Sequence, residues 1–250
     1  MTLELLEWDA RSYDELPLPH KRWGAAVIQR LGLTGTETVL DFGCGTGRDT
    51  RQLLDILPAG RVVAVDGSQQ MLQELRARVV DDRDRVTVIH ADLREPLDLG
   101  MTVDAAMSVA TLHWIPDHQA LFHSVSAVMR SGGRFVAEGG GAGNVEGFRR
   151  ALRQVGGSGG EEIWNFATID DTARKLAEAG FIDIDVRLIP DPARLERGEQ
   201  LEAFLATVML GVQLRELAPE QRRPFVRAVM QEMPEPVVDF VRLQLSATRR

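Results

Sequence analysis

The sequence predicts an α/β fold in which helices cover both faces of a mostly parallel, doubly wound sheet. Between residues 37 and 138, short runs rich in β-branched residues alternate with amphipathic stretches, as they do in successive strand–helix–strand units. The first run leads directly into a glycine turn, Gly43-Cys44-Gly45-Thr46-Gly47. Polar residues also follow the later runs, at the carboxyl ends of the strands, where sheets of this kind bind their ligands.

The centre of the sheet is predicted from five short apolar runs, each of the length that a buried parallel strand has. These strands lie near residues 37–42, 61–66, 85–90, 102–109 and 133–138. Three intervening stretches have the length and patterning of helices. They lie near residues 47–57, 68–79 and 117–130. Asp117, which follows Pro116, is of the residue type that begins a helix, and it marks the start of the third.

The rest of the chain is predicted to add helices and two more strands. Helices are expected from about Asn144 to Val155 and near residues 169–179. Apolar residues from Ile182 to Leu188 alternate with charged ones, which predicts a strand with one polar face near the sheet edge. A final strand near Val237–Ser246 would pair with that edge strand in antiparallel fashion. Between these two strands, apolar residues at helical spacing within 201–233 predict two inserted helices.

Composition and charge restrict the class of protein and of partner. Hydrophobic residues make up 44% of the chain, but no apolar run is long enough to span a membrane, so a globular protein that does not enter the membrane is expected. The first eight residues carry acids where a secretory signal has positive charge, which favours the cytoplasm. A net charge of −8 disfavours nucleic acid and favours small-molecule partners. Because Cys44 is the single cysteine, neither a disulfide nor a metal site is expected.

Three strand ends carry residues that suit an adenosine-containing ligand. Gly43 and Gly45 let the backbone turn tightly and approach a ligand without an intervening Cβ, although such a turn fits a dinucleotide equally well. Asp66, at the end of the second strand, can accept hydrogen bonds from both hydroxyls of a ribose. Asp92 can accept from an exocyclic amino group while the backbone N–H of Leu93 meets a ring nitrogen. This last pair would recognise adenine.

These motifs, in this order, resemble those of the class I S-adenosylmethionine-dependent methyltransferases over residues 35–140. The resemblance implies S-adenosylmethionine as the cofactor and S-adenosylhomocysteine as the product. It also implies a Rossmann-like sheet of seven strands in the order 3-2-1-4-5-7-6, with strand seven antiparallel. Gly43, Gly45 and Gly47 alternate, and this spacing departs from the G-x-G-x-x-G/A pattern of the dinucleotide-binding dehydrogenases.

The resemblance implies cofactor contacts at four strand ends and at the start of one helix. Those toward the methionine part would be Asp41, Gly43, Cys44 and Gly45, and Ser108 to Ala110 would lie near the reacting sulfonium. Those toward the adenosine would be Asp66, Gly67, Met71, Asp92 and Leu93, with Met71 packed on the adenine. One domain is expected over residues 1–250, with a helical N-terminal segment over 1–34, a cofactor-binding core over 35–140 and a helical insertion over 190–235 that could form a lid.

The sequence gives fewer indications of the residues that would bind the methyl acceptor. Methyl transfer is an in-line displacement that requires orientation and exclusion of water more than it requires catalytic groups. His113, after the fourth strand, could act as a general base, or it could line the site without any proton transfer. Trp114, Tyr13 and Trp23 are candidate acceptor contacts, because aromatic rings stack on ligands and exclude water. Ordinary packing is the alternative for Tyr13 and Trp23.

The leading functional prediction is methyl transfer to a small organic molecule, either an organic acid or a specialised metabolite. Residues 112–117 and the segment around Trp8 resemble the small-molecule group that includes trans-aconitate methyltransferase. The Asn/Asp-Pro-Pro-Tyr-like residues of enzymes that methylate amino groups of nucleic acids do not follow the fourth strand. Two alternatives remain open: a catalytically inactive S-adenosylmethionine-binding or scaffold protein, and an NAD-dependent oxidoreductase.

Overall fold

A computed structural model describes residues 7, 10 and 20–250 of the chain, and it shows a seven-stranded mixed sheet. The sheet strands are β1 (Thr38–Phe42), β2 (Arg61–Asp66), β3 (Val86–His90), β4 (Val103–Val109), β5 (Met129–Gly140), β6 (Phe181–Pro190) and β9 (Val241–Arg249). Their order is β3-β2-β1-β4-β5-β9-β6, and β9 is antiparallel to both of its neighbours. The predicted fold class and strand order are therefore confirmed, with β9 as the seventh strand.

Helices connect and flank these strands. They are α1 (His20–Leu31), α2 (Arg48–Ile56), α3 (Gln69–Arg78), α4 (His118–Val128), α5 (Glu146–Gln154), α6 (Ile169–Glu178), α7 (Glu199–Phe204), α8 (Gly211–Arg215) and α9 (Pro219–Glu232). Short 3₁₀ turns cover Val80–Arg85 and Leu112–Trp114, and a π turn covers Leu205–Met209. The Asp117 side chain accepts from the backbone N–H groups of Gln119 and Ala120, so it caps α4 as its residue type predicts.

Both faces of the sheet are covered by apolar packing, which explains the continuous apolar runs of the central strands. Residues of α4 and α6, such as Phe122 and Leu176, pack with Phe135 on one face. Residues of α1, α2 and α3 pack on the other face, where Leu53 and Leu75 are fully buried. A cavity lies beyond the carboxyl ends of the parallel strands.

A third apolar core lies outside the two sheet faces. It joins α5, the helices between β6 and β9, and the Trp23 side chain of α1. Phe204 and Met230, in the stretch expected to be inserted, are buried in this core. The helices of residues 199–232 fall inside the predicted insertion of 190–235. The division of the chain into one domain with an insertion stays a prediction.

Two elements differ from their sequence-based predictions. The last strand is not continuous over Val237–Ser246, because Val237–Val238 forms a short strand, β8, that pairs with Ala193–Arg194, which is β7. Between β8 and β9 the backbone bonds instead to the residues just before α5: the Asp239 carbonyl accepts from the Val145 N–H at 3.0 Å, and the Val241 N–H donates to Asn144 Oδ1 at 2.9 Å. The predicted alternation of apolar and charged residues over Ile182–Leu188 is also interrupted, because β6 has a bulge between Ile182 and Asp185.

In the described part of the chain, no helix is long and apolar enough to cross a bilayer.

Candidate functional site

A cavity at the carboxyl ends of the parallel strands brings together most of the predicted site residues. Its lining includes the predicted residues Trp23, Gly43, Gly45, Asp66, Gly67, Met71, Asp92, Leu93, Ala110, His113 and Trp114. Residues at the carboxyl ends of β1, β2, β3 and β4 therefore meet at one place, as the doubly wound topology requires. Tyr13 lies outside the described residues.

The glycine turn after β1 forms the floor of this cavity. Gly43 and Gly45 have φ angles of 77° and 54°, in the left-handed region that favours glycine. A Cβ on Gly43 would lie 2.1 Å from the Thr111 Oγ1 atom, whereas a Cβ on Gly45 would meet no atom within 4 Å. Gly43 is therefore required by packing of the protein itself, and Gly45 leaves its space open to the cavity.

Asp66 is held rigidly at the end of β2. Its Oδ2 atom accepts from the Gly45 N–H at 2.8 Å and its Oδ1 atom accepts from the Ser68 N–H at 2.8 Å. Burial raises the pKa of Asp66, and the backbone N–H groups counter that effect. Each carboxylate oxygen has a second lone pair, so the group can still accept hydrogen bonds from two hydroxyls of a ligand.

The helix α3 carries Met71 to the cavity wall from a well-formed N-terminus. Ser68 Oγ accepts from the Met71 N–H at 3.3 Å and donates to the Glu7 Oε2 atom at 2.8 Å. Glu7 also accepts from the Gln69 N–H at 3.0 Å, where the positive end of the helix dipole favours a carboxylate. The apolar Met71 side chain is thereby fixed beside Asp66 in the cavity wall.

Asp92, after β3, is oriented by a residue that the sequence did not single out. Arg94 donates from Nε to Asp92 Oδ1 at 2.8 Å and from Nη2 to Oδ2 at 2.6 Å, and both residues line the cavity. The hydrogen bonds from Arg94 lower the Asp92 pKa, so the carboxylate is ionised at neutral pH. An ionised carboxylate accepts hydrogen bonds only, which suits recognition of an amino group.

Three predicted cofactor residues lie beneath the cavity rather than on its wall. Asp41 is 2% exposed and accepts from Thr50 Oγ1 at 2.6 Å; burial raises its pKa to about 7. Cys44 is buried, and burial raises the pKa of its thiol. Ser108 is fully buried and donates to the Phe42 carbonyl at 2.8 Å. These side chains support the turn from below, and their predicted contacts with a ligand stay a prediction.

The end of β4 is tied to the glycine turn at a strained backbone position. Ala110 has a φ of 55°, which costs an alanine about 1–2 kcal/mol. Its N–H donates to the Glu138 carbonyl at 2.7 Å, and the neighbouring Thr111 hydroxyl donates to the Gly43 carbonyl at 3.3 Å. The strained conformation persists because these hydrogen bonds fix the segment between two strands. In this conformation Ala110 lies on the cavity wall.

His113 has a defined protonation state in this cavity. Its Nδ1 atom accepts from the Gly140 N–H at 3.2 Å, so the proton of the neutral ring is on Nε2. Burial lowers the His113 pKa to about 3, and the nearby Arg242 charge adds to the effect. The ring is therefore neutral at physiological pH and presents an N–H donor. This state favours the interpretation of His113 as a lining residue over that of a general base.

Arg242 is the main site residue that the sequence reasoning missed. It lines the cavity although it is only 2% exposed; its Nε lies 3.3 Å from Glu138 Oε1, and its guanidinium lies 3.7 Å above the Trp23 ring. One signal was available, since Glu138 and Arg242 are opposite charges inside two runs predicted to be strands. Other lining residues without a motif are Asn144, Trp164, Phe166, Val208, Met209 and Phe240.

In the part of the chain that the structure describes, no three His, Cys, Asp or Glu side chains cluster as a metal site would require.

Sequence comparison relates the chain to methyltransferases. A family profile described as "Methyltransferase domain" matches residues 39–133. A Schizosaccharomyces pombe protein named as an uncharacterized methyltransferase is 30% identical over 212 residues, which are 79% of this chain and 80% of that protein. The trans-aconitate 2-methyltransferase of Enterobacter sp. (strain 638) is 31% identical over 129 residues, which are 52% of this chain and 49% of that enzyme. The match to enzymes of that name thus spans about half of their length.

Solved structures share the fold at low sequence identity. A phosphoethanolamine N-methyltransferase from Haemonchus contortus, in complex with S-adenosyl-L-methionine, is 20% identical with a TM-score of 0.61, covering 91% of this chain and 52% of that one. A geranyl diphosphate C-methyltransferase from Streptomyces coelicolor A3(2) is 17% identical with a TM-score of 0.56, covering 91% of this chain and 77% of that one. At these identities the likeness concerns the fold.

Proposed function

The chain belongs to the class I S-adenosylmethionine-dependent methyltransferases, and we propose that it transfers a methyl group to a small organic molecule. The observation that carries the proposal is that two chemically different groups of residues line one cavity, and we refer to them as its two halves. One half is polar and contains the glycine turn with Asp66 and Asp92. The other half is walled by aromatic rings of Trp23, Trp114, Trp164, Phe166 and Phe240. A cofactor half and an acceptor half are what methyl transfer between two bound molecules requires.

The residues of the polar half fit an adenosyl cofactor. Asp66 is held so that both carboxylate oxygens can accept from ribose hydroxyls. Asp92 and the backbone of Leu93 would meet the adenine edge, and the apolar Met71 would pack on its face. Gly45 leaves open the space that a Cβ would fill, where the methionine part of the cofactor would lie. When bound, S-adenosylmethionine supplies a methyl carbon that its sulfonium already activates.

The chain's own contribution to the reaction would be orientation and exclusion of water. Trp164 and Phe166 stack with ring centroids 5.7 Å apart, and Trp114 lies 6.0 Å from Trp164, so the acceptor half is a rigid apolar wall. His113, neutral and bonded through Nδ1, would donate from Nε2 to the acceptor and would remove no proton. Positioning two reactants in line, with water excluded, supplies much of the acceleration that such a displacement needs.

A small acceptor, rather than nucleic acid, is supported by the shape of this half. Residues of the insertion, Val208 and Met209, close the wall next to Trp114 and Trp164. The group of relatives named as trans-aconitate 2-methyltransferases supports an organic acid, and a specialised metabolite fits the aromatic wall equally.

Calorimetry with S-adenosylmethionine and S-adenosylhomocysteine tests the cofactor half. Asp66→Ala and Asp92→Ala are expected to weaken binding at least tenfold, since each removes a polar contact worth ~1.4 kcal/mol or more. Asp98→Ala is the matched control, because Asp98 is exposed, accepts from a backbone N–H at 3.1 Å and does not line the cavity. Wild-type protein that binds neither ligand, or that prefers NAD, would refute the proposal.

Mass spectrometry tests the transfer itself. The enzyme is incubated with isotopically labelled S-adenosylmethionine and a metabolite extract, and labelled small products are expected. Tight cofactor binding without any labelled product would favour a cofactor-binding protein that has lost the transferase activity.

A further inference from the structure

We propose that Arg94 determines which purine the cofactor half accepts. By bonding to Asp92 it leaves this carboxylate one open acceptor site and holds it in the form that accepts an N–H, so the cavity selects a 6-aminopurine over a 6-oxopurine. Arg94 is a positioning residue, because it acts on the ligand through Asp92. The inference rests on the proposed function and deepens it, since it adds a residue that controls specificity to the cofactor half.

Arg94 folds back onto the carboxylate that precedes it by two residues. Its Nε donates to Asp92 Oδ1 at 2.8 Å, with a longer contact of 3.0 Å to Oδ2, and its Nη2 donates to Oδ2 at 2.6 Å. A planar guanidinium that binds both oxygens in this way fixes the plane of the carboxylate as well as its position. The two side chains are only 27% and 25% exposed, so salt screens the pair weakly.

The Arg94 backbone limits what a ligand can do at this carboxylate. Its N–H donates to Asp92 Oδ1 at 3.0 Å, so Oδ1 already accepts two hydrogen bonds, one for each lone pair. Oδ2 accepts from Nη2 and has room for one further donor. Asp92, Leu93 and Arg94 all line the cavity. One open site on Oδ2, beside the backbone N–H of Leu93, matches the single N–H that the adenine amino group would direct toward it.

Arg94 also sets the charge of Asp92. Among the described residues, its charge is the one that acts on this carboxylate, and Glu95 acts on Arg94 in turn. The hydrogen bonds from Arg94 lower the Asp92 pKa, and burial acts in the opposite direction. If Arg94 is removed, burial acts alone and the pKa of Asp92 should rise above its ordinary value. A protonated carboxyl can donate to a 6-oxo group, so the selection would then weaken as the pH falls.

Calorimetry with S-adenosylhomocysteine and S-inosylhomocysteine tests the proposal. In the second probe an oxygen replaces the 6-amino group and N1 carries a proton, so this probe also loses the hydrogen bond from the Leu93 N–H. Wild-type protein is expected to bind the first probe at least about tenfold more tightly than the second, at pH 5 and at pH 8 alike. Equal binding of the two probes, or a preference that falls between pH 8 and pH 5, would overturn the inference.

Arg94→Met removes the guanidinium and keeps an unbranched side chain. Its preference for the amino probe is expected to be at least about threefold smaller than that of wild type at pH 8, and smaller again at pH 5, because the carboxyl then binds a proton. The lost Leu93 contact is the same in both proteins and cancels in the comparison. A wild-type preference at both pH values in Arg94→Met would contradict the assignment of this residue.

Arg94→Lys separates the charge from the geometry, and it carries the test if Arg94→Met does not fold. Lysine keeps a positive charge but lacks the planar fork. The preference is therefore expected to be smaller than in wild type and equal at pH 5 and pH 8. A full wild-type preference in Arg94→Lys would show that selection does not depend on the fork, and the inference would fail.

Arg187→Met is the matched control. Arg187 binds Asp185, also two residues before it, through Nε to Oδ1 at 2.9 Å and Nη2 to Oδ2 at 2.9 Å, but neither residue lines the cavity. This variant is expected to keep the wild-type preference, and a loss equal to that in Arg94→Met would refute a role specific to Arg94. If wild-type protein binds neither probe, the proposed function fails; if it binds both equally, only the inference about Arg94 fails.

Discussion

Gly45→Ala is expected to weaken S-adenosylhomocysteine binding at least tenfold while lowering the free energy of unfolding by only about 1–2 kcal/mol. Gly45 has a φ of 54°, so alanine there carries the strain of the left-handed region. A Cβ would meet no protein atom within 4 Å, so no packing clash adds to this strain. The new methyl group would project into space that the proposal assigns to the cofactor, and its cost would therefore appear in binding.

Gly100→Ala provides the matched control for backbone strain. Gly100 has a φ of 65°, and a Cβ there would also meet no atom within 4 Å, but the residue does not line the cavity. Both variants should lose similar stability, equivalent to a fall in Tm of roughly 2–8 °C for a chain of this size. Only Gly45→Ala should lose cofactor affinity.

Urea unfolding measures the stability of the two variants, and calorimetry with S-adenosylhomocysteine measures their affinity. Wild-type affinity in folded Gly45→Ala would show that the glycine turn does not contact the cofactor. A loss of affinity in Gly100→Ala equal to that in Gly45→Ala would show that strain, and not contact, controls binding. Either result would refute the assignment of this turn.

Three other predictions follow from the same structure. Burial raises the Asp41 pKa from 3.8 to about 7, so its deprotonation opposes folding; as pH rises from 4 to 8, wild type should lose a few kcal/mol of unfolding free energy relative to Asp41→Asn. Urea unfolding at pH 5 and pH 8 measures this difference, and identical pH dependence of both proteins would contradict it. Because the His113 pKa is lowered to about 3, kcat between pH 5 and 9 should show no limb due to His113, and His113→Gln, which keeps an N–H donor, should retain more activity than His113→Phe. A limb of the kcat–pH profile that is present in the wild type and absent in His113→Gln would show instead that His113 acts as a general base. Phe135→Ala should lower the unfolding free energy by about 3–5 kcal/mol, because the ring is fully buried, without changing the affinity for S-adenosylhomocysteine; a loss below about 1 kcal/mol would contradict this packing.

The cofactor half could be predicted from the sequence because its residues sit where the topology brings strand ends together. Asp66 and Asp92 each follow a β-branched run, and parallel strands of one sheet present their carboxyl ends at one edge. No detail of side-chain packing was needed to bring them to the same cavity. The structure added the hydrogen bonds that orient them, such as the pair from Arg94 to Asp92.

The acceptor half could not be predicted in the same way, because its residues come together through contacts of large sequence separation. Asn144 precedes α5 and accepts a hydrogen bond from the N–H of Val241, the residue before Arg242 at the start of β9. Neither residue belongs to a motif. Periodicity predicts which face of a strand is buried, but it does not predict that a charged residue on that face will border a cavity.

The two halves of the cavity also differ in charge, and this difference bears on the chemistry. We assign Asp66, and Asp92 with its partner Arg94, to the proposed cofactor half, where a positively charged sulfonium compound would bind, and Arg242 to the proposed acceptor half. The organic acid that we propose as an acceptor would be an anion opposite a cationic methyl donor, and the attraction between the two charges would favour simultaneous binding of both molecules. A neutral His113 is consistent with this arrangement, because a carboxylic acid is already ionised at neutral pH and requires no base.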